Sequence, residues 1–537
     1  MTESTEDMVA NLANNNGQHP NNAVSLVKEK TVVLQIPSSE SIRTKVALQD
    51  QKELNGVTTP LESTLARARL DNSNSIVASI PDEVLSEIFV HCLPSSQSNY
   101  LKDRPPVPSV QSAPLLLTRV CRRWADVALS THHLWAGMTF TKKLCDGKYD
   151  QIMKAVEEWI GRSGACPLSF DFYCGSDSKD EAAINKLAHV IIPHSHRWRS
   201  IGGYLPSSVL AQVLSKISDG VPLLEMLGVS DSEWPSIGDG IVHMFPSRTV
   251  DISFAPRLNK FCSENIHLAF NGAILRNIRT IEIGRSQYDR VTPTLEDVWS
   301  CLQHCPNLRS LEFFATISSR GNLNLRPDML QVAALQTFLI YTSADPGPLL
   351  DRVTSPALKK FHLSFFGEKR AGQIAQVPWH NIDNLLERSR PPLQELTLNT
   401  YHIGMSEDIL LSCLRRMPDI KKLYICVGSK PILTDYFLHM MTIKLEAGHH
   451  HSPDRCHHLC PRLQNLSVEV GLFTADAMVE MILSRRVKPS GKNSCRHRTI
   501  KRLSLVCCEF EGRSFREDDP ALRQCIEGGV KISILNY

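Results

Sequence analysis

The sequence predicts an α/β protein in which a small N-terminal helical unit precedes a long array of strand–helix repeats. A short apolar pattern close to L-x-x-L-x-L recurs ten times between residues 222 and 505. Stretches with helical apolar spacing separate several of these recurrences, and three further short helical stretches lie within residues 76–140. The repeats favour parallel strands, because a helix between two strands carries the chain back to the end of the sheet where the first strand began.

Length and composition limit the classes of protein to consider. A chain of 537 residues with 42% hydrophobic and 21% charged residues is typical of a globular protein with two to four domains. A formal charge of +3 gives no general attraction to nucleic acid or anionic membrane, and no apolar run is long enough to cross a bilayer. The sixteen cysteines occur largely at apolar positions, which indicates a reducing compartment. We therefore expect a cytoplasmic protein, with the nucleus as the alternative compartment, and neither nucleic-acid nor membrane partners.

The first segment, residues 1–75, is rich in Asn, Ser, Thr and Gln. It offers too little apolar surface to offset the entropy lost on ordering, so we expect a disordered tail.

Residues 76–140 predict three short helices. The first begins at Pro81, carries Val84, Leu85, Ile88 and Phe89 at helical spacing, and ends before Pro94. A Pro- and Ser-rich segment, 95–113, predicts a mobile loop. The second helix is expected over residues 114–130, and the third short element contains Leu134 and Trp135. Helices this short bury too little surface to be stable alone, so a partner that covers their apolar side is expected.

These residues resemble the F-box motif, in the F-box-like form common in mushroom-forming fungi. The matching positions are Ile80, Pro81, Glu83, Val84 and Leu85, then Val120, Cys121, Arg122, Arg123 and Trp124, then Leu134 and Trp135. The loop between the first two helices is longer than in the usual motif. The segments 159–172 and 191–201 also resemble that subfamily, so the strong resemblance covers about residues 76–205.

The resemblance implies docking onto the Skp-type adaptor of a cullin–RING ubiquitin ligase by a helix-in-groove contact. The apolar anchors would be Pro81, Val84, Leu85, Ile88 and Leu116. The alternative is that all five residues pack the core of the small helical unit. Trp124 and Trp135 are expected in that core, and Arg122–Arg123 on a solvated face.

The ten recurrences predict the strands of the second part of the chain. They are PLLEMLGV (222–229), PRLNKFCS (256–263), NIRTIEI (277–283), PNLRSLEF (306–313), ALQTFLI (334–340), PALKKFHL (356–363), PPLQELTL (391–398), PDIKKLYI (418–425), PRLQNLSV (461–468) and IKRLSL (500–505). Helical stripes include those around Trp299, Leu410 and Met481.

We thus expect connecting elements over 141–220 and, over 221–537, an irregular leucine-rich-repeat-like solenoid of parallel strands with helices on the convex side. The alternative is an ordinary α/β domain without exact repeats. The asparagine ladder of regular leucine-rich repeats is missing.

No motif for catalysis or cofactor binding is found, so we expect a protein that is not an enzyme and needs no cofactor. The segment His449–Cys460 contains possible zinc ligands, but no second cysteine pair supports a metal site, and the position of Cys460 suggests packing. The eight Lys or Arg residues of Arg485–Arg502 indicate a solvated loop, with nuclear targeting or an acidic partner as the alternatives.

The expected function is recruitment of a protein target, of unknown identity, to a Skp–cullin–RING ubiquitin ligase. One alternative is a repeat scaffold without ligase coupling, whose F-box-like unit caps the array. Another is an enzyme, favoured by the Cys/His segment alone.

Overall fold

A computed structural model describes most of the chain from Ser79 onward. The described residues are 79–94, 104–141, 149–173, 178–231, 248–264, 266–284, 294–315, 328–342, 345–365, 379–400, 406–427, 432–443, 459–485, 499–511 and 520–535. The expected tail, residues 1–75, lies outside these ranges.

The chain is an α/β protein built on one open sheet of fourteen parallel strands. In chain order the strands are β1 (Gly137–Thr141), β2 (Leu168–Tyr173), β3 (Trp198–Leu205), β4 (Met226–Asp231), β5 (Lys260–Ser263), β6 (Thr280–Ile283), β7 (Ser310–Ala315), β8 (Thr337–Thr342), β9 (Lys360–Phe365), β10 (Glu395–Thr400), β11 (Lys422–Val427), β12 (Asn465–Glu469), β13 (Arg502–Val506) and β14 (Lys531–Leu535). Each strand pairs with its predecessor, so the order in the sheet is the order in the chain.

The ten sequence recurrences form β4 to β13 without exception, which confirms them as strands. The sheet also contains β1 to β3 and β14, which the pattern did not include. It begins at Gly137, inside the range 76–140 that was assigned to the helical unit. The connecting region of 141–220 therefore contributes full members of the same sheet.

Twelve α-helices lie among the described residues. They are α1 (Asp82–His91), α2 (Arg122–Ser130), α3 (Tyr149–Arg162), α4 (Ser178–Ile191), α5 (Ser207–Asp219), α6 (Leu295–His304), α7 (Gly347–Leu350), α8 (Trp379–Ser389), α9 (Glu407–Arg415), α10 (Asp435–Met441), α11 (Ala475–Ser484) and α12 (Pro520–Glu527). The stripes around Trp299, Leu410 and Met481 are α6, α9 and α11, as predicted. No described helix is long and apolar enough to cross a membrane.

Short elements complete the description. Three 3₁₀ helices span Leu117–Arg119, His132–Trp135 and Ile192–Arg197. Three parallel strand pairs lie apart from the main sheet: Arg248–Asp251 with Ile266–Ala269, Leu330–Gln331 with Val353–Thr354, and Leu472–Thr474 with Glu509–Glu511.

One row of apolar side chains runs in register through all fourteen strands. Its members are Met138, Phe170, Ile201, Leu227, Phe261, Ile281, Leu311, Phe338, Phe361, Leu396, Leu423, Leu466, Leu503 and Ile532. All but Ile532 are buried, and the helices pack their apolar sides into the same core. Alternate strand residues point to the opposite side, here called the polar face.

The second predicted helix, residues 114–130, is confirmed only over Arg122–Ser130 and is wrong over residues 114–121. The chain is extended at Cys121, and α2 begins only at Arg122. On a continuous helix Leu117 and Val127 would point about 80° apart, since each residue turns the helix by about 100°. With the break between them, Leu117 and Val127 are both buried.

Two segments that were expected to be loops also differ from the prediction in the part that is described. The part of 95–113 that is described is ordered, because Thr139 donates its amide to the Pro106 carbonyl (2.9 Å) and its hydroxyl to the Pro105 carbonyl (2.5 Å). These bonds cover the outer edge of β1. Arg485, counted with the solvated loop, is buried, while residues 486–498 lie outside the described part.

Candidate protein-docking site

Helix α1 presents apolar side chains on two sides. Leu85 and Phe89, one turn apart, are buried in the common core, with exposed fractions of 2% and 0%. Val84 and Ile88, also one turn apart, point away from it and are 49% and 42% exposed. A helix that rests on its own protein normally buries one stripe and presents polar residues elsewhere. The outer pair of α1 departs from this rule.

The segment that leads into α2 adds two further exposed apolar residues. Leu116 is 43% exposed and Val120 is 54% exposed, on either side of the 3₁₀ turn. Four of the twelve exposed large hydrophobic residues in the described chain therefore fall in these two short elements. Such local enrichment is typical of a surface that another protein covers. We call Val84, Ile88, Leu116 and Val120 the docking set.

The structure separates the five predicted anchors into two groups. Pro81, which caps α1 at its N-terminus, is exposed, as are Val84, Ile88 and Leu116. Leu85 does not belong with them, because it is buried among this chain's own side chains. The prediction that Leu85 is an anchor rather than core is corrected, since its spacing from Phe89 directs it into the core. Val120 was not among the predicted anchors, so sequence reasoning missed its exposure.

The docking set rests on a well-connected base. Arg123 of α2 donates to the Asp82 carboxylate at the start of α1 (Nη2–Oδ1 2.7 Å) and to the Ile80 carbonyl. Phe89 contacts Trp124 across the two helices, with ring centroids 4.9 Å apart. Trp124 was expected in the core, but it is half-buried and packs against the core from its edge. α1 is thus held in place by the contact of buried Phe89 with Trp124 and by the more exposed Arg123–Asp82 pair.

The helical unit is joined to the sheet through two tryptophans. Trp135 is fully buried, as predicted, and donates its indole N–H to the Ala128 carbonyl at 2.8 Å. Its ring meets Trp159 of α3 edge-on at 4.8 Å, and Trp159 donates to the Gly137 carbonyl of β1 at 3.2 Å. The helical unit and the sheet therefore share one core. Because this core is closely packed, α1 has a fixed position relative to the sheet.

The sequence segment considered for zinc binding is mostly outside the described residues. Cys460, at its end, is buried, and burial raises the pKa of its thiol to about 12. A thiol that stays protonated suits a packing role. Within the described ranges, no group of three or more His, Cys, Asp or Glu residues could hold a metal ion.

Neither known family models nor curated proteins match this chain.

Proposed function

We propose that the protein is an F-box-type adaptor that docks onto a Skp-type adaptor of a cullin–RING ubiquitin ligase through α1 and the segment before α2. The observation that carries the proposal is the exposure of Val84 and Ile88 on a helix whose adjacent apolar residues, Leu85 and Phe89, are buried. The residues that resemble the F-box motif lie on these same elements. Pro81 and the docking set would be the contact residues, and Leu85 would support them from the core.

The chemistry of the docking set fits a helix-in-groove contact. Such contacts are made by apolar side chains at i and i+4 that enter a groove of the partner. Val84 and Ile88 have this spacing. Burying the exposed half of a side chain of this size is worth roughly 1 kcal/mol, so a few together provide a useful affinity.

The remainder of the chain would serve as the target-binding part. We propose that its fourteen strands and intervening helices form an irregular leucine-rich-repeat-like solenoid with the helices on the convex side. A protein target bound there would be held near the catalytic subunits of the ligase. The contribution of this chain would then be proximity rather than chemistry of its own.

Co-purification tests the proposal. The full chain is co-expressed with a Skp-type adaptor as the wild type, as Val84→Asp and as Ile274→Asp. Ile274 is 52% exposed and lies outside the docking set, so it is a matched control. Wild type and Ile274→Asp should retain the adaptor and Val84→Asp should lose it, because a carboxylate in an apolar groove is costly. Equal recovery with all three proteins, or with none, would refute the proposal. Leu85→Asp is unsuitable, because it would disrupt the core.

A second candidate is a repeat scaffold without ligase coupling, in which the helical unit caps the end of the sheet. The observation in its favour is the shared core of Trp135, Trp159 and β1. Terminal repeats need such a cap to stay soluble. This candidate predicts no adaptor binding by the wild type and aggregation when residues 76–140 are deleted.

A further inference from the structure

The residues that directly precede seven successive strands form a ladder at one rim of the sheet. From β7 to β13 they are Arg309, Gln336, Lys359, Gln394, Lys421, Gln464 and Lys501. From the second member on, each backbone amide donates to the carbonyl of the preceding member, with N–O distances of 2.7–2.8 Å. Cations therefore alternate with uncharged amide side chains in a fixed order along the rim. We call these seven residues the rim ladder.

The cations of the rim ladder are not neutralised within the described part of the chain. The ammonium of Lys359 donates to the Gln336 side-chain oxygen at 3.3 Å. The ammonium of Lys421 donates to the Gln394 side-chain oxygen at 2.7 Å. The other two cations of the ladder are exposed and form no ion pair with a described residue. Glutamine thus holds two of the four cations in place and leaves their charge available.

The strand residues beside the ladder add to the positive charge. The first strand positions, which lie on the polar face, include Lys360, Glu395, Lys422, Arg502 and Lys531. Glu395 lies 3.0 Å from the Lys360 ammonium and 3.1 Å from that of Lys422, so two cations share one carboxylate. From β7 to β14 the ladder and the first strand positions contain eight Lys or Arg residues and this single carboxylate, although the whole chain has a formal charge of only +3. Positive charge is therefore concentrated at this rim.

The spacing of the ladder cations fits an extended acidic chain. The cations occur on every second strand, about 9.6 Å apart at about 4.8 Å per strand. An extended peptide advances about 3.3 Å per residue, so acidic side chains at every third position are about 10 Å apart. The glutamines between the cations offer donors and acceptors to the backbone of such a peptide. Single-stranded nucleic acid is held through aromatic rings that stack on its bases, and the ladder contains none.

We propose that the rim ladder binds an extended protein segment that carries Asp or Glu at about every third residue. The ladder from Arg309 to Lys501 spans six strand spacings, about 29 Å, which about nine or ten residues of extended peptide cover. An acidic partner was one of the alternatives for the basic segment Arg485–Arg502, whose last two residues lie on this rim. The inference rests on the proposed function only in taking the bound segment to be part of the recruited target.

Peptide binding to the full-length protein tests the inference. The probe is a fluorescein-labelled decapeptide with glutamate at positions 1, 4, 7 and 10 and serine elsewhere, and binding is followed by anisotropy. The glutamate peptide should bind saturably, and more weakly as salt is added. The same peptide with lysine in place of glutamate should not bind, and an oligouridylate of ten nucleotides should bind more weakly than the glutamate peptide.

Charge reversal locates the binding surface. The double variant Lys359→Glu with Lys421→Glu should weaken binding at least about tenfold, because two attractive charges of the ladder become repulsive. The matched control is Lys154→Glu with Lys216→Glu, which changes the net charge equally on α3 and α5, outside the ladder. It should weaken binding less than about twofold, because the distant charges are screened by salt. Thermal unfolding of each variant shows whether the fold is retained.

A milder double variant, Lys359→Gln with Lys421→Gln, should weaken binding about threefold and serves in place of the charge reversal if that protein does not fold. Equal affinity for the lysine peptide, tighter binding of the oligouridylate, equal losses in the ladder and control variants, or no binding of the glutamate peptide up to about 1 mM would overturn the inference. Adaptor co-purification of the same variants reports separately on the proposed function, because the rim ladder lies outside the docking set.

Discussion

Arg485 is a buried cation that donates hydrogen bonds to backbone carbonyls. Within the described structure it does not pair with a carboxylate. It follows α11 and is 1% exposed. Its guanidinium donates to the carbonyls of Met441 at 2.6 and 3.0 Å, Leu459 at 2.9 Å and Cys460 at 3.0 Å. These carbonyls lie at the end of α10 and in the turn before β12. The burial lowers the pKa of Arg485 to about 10, which still leaves it charged at neutral pH.

Replacing Arg485 by methionine should destabilise the protein by about 3 kcal/mol or more, because buried carbonyls without a donor cost about 1–3 kcal/mol each. Urea unfolding, followed by circular dichroism, measures the effect. Arg462→Met is the control, since the pair of Arg462 with Asp419 is largely exposed and should be worth less than about 1 kcal/mol. Similar losses in both variants would contradict the structural role given to Arg485.

His362 should make the protein less stable in mild acid. Its folded pKa of about 4 lies below the unfolded value near 6.5, so the fold favours the neutral ring. The contribution of His362 is complete above pH 6.5 and is lost as the pH falls towards 4. Between pH 7.5 and 5.0, the melting temperature should fall further in the wild type than in His362→Phe. An identical fall in both would show that this ring does not titrate as described.

At the level of single residues, the sequence identified the candidate core and anchor side chains better than the direction in which each of them points. Trp135 was expected in the core because a large aromatic fills a small helical unit, and it is there. Val84 and Leu85 are adjacent members of one wide apolar stripe, and periodicity alone does not decide which of them faces the core. The burial of Arg485 could not be predicted, because its partners are backbone carbonyls that leave no sequence signal.

Among the elements, the segment before the 3₁₀ turn has a defined role at the edge of the sheet. Residues 104–106 lie along β1, and Arg104 pairs with Asp171 of β2, whose side chain is 5% exposed. Arg104 also lies over the Tyr173 ring, 4.6 Å from its centroid. Burial raises the pKa of Asp171, and Arg104 offsets only part of that rise. An unprotected sheet edge is a site for aggregation, so this segment protects the fold.

Arg104→Met should destabilise the protein by about 3 kcal/mol, because it leaves a buried carboxylate without its cation. It should also lower the temperature at which light scattering rises, since the edge of β1 is then more often uncovered. Lys216→Met serves as the control, because its pair with Asp219 on α5 is exposed. If both variants scatter at the wild-type temperature, residues 104–106 do not guard the edge.

Strand prediction succeeded where the local pattern was strong and failed where it was not. The alternation around Leu311 and Phe313 or Leu396 and Leu398 is a local property, and the repeats made it recognisable. Strand β3 contains Gly203, whose φ of +107° and close approach to the Phe172 backbone exclude a side chain, and this weakens the apolar pattern. Strand β14 lacks the preceding proline of most repeats.

For the whole molecule, the shared core has a consequence for docking. The apolar row in the sheet, the tryptophans and the buried side of α1 belong to one continuous core. A partner bound on Val84 and Ile88 would therefore be held at a fixed position relative to the sheet. The α/β class and the parallel strands were predictable from the sequence. The joining of the helical unit to the sheet through Trp135 and Trp159 was not, because it depends on tertiary contacts.

The most direct test is a calorimetric titration of the full chain with a purified Skp-type adaptor. The wild type and Ile274→Asp should bind one adaptor with the same affinity. Ile88→Asp should bind at least about 30-fold more weakly, which corresponds to about 2 kcal/mol at the centre of an interface. Absence of binding by the wild type, or equal affinity of Ile88→Asp and Ile274→Asp, would contradict the claim that the exposed side of α1 is a docking surface.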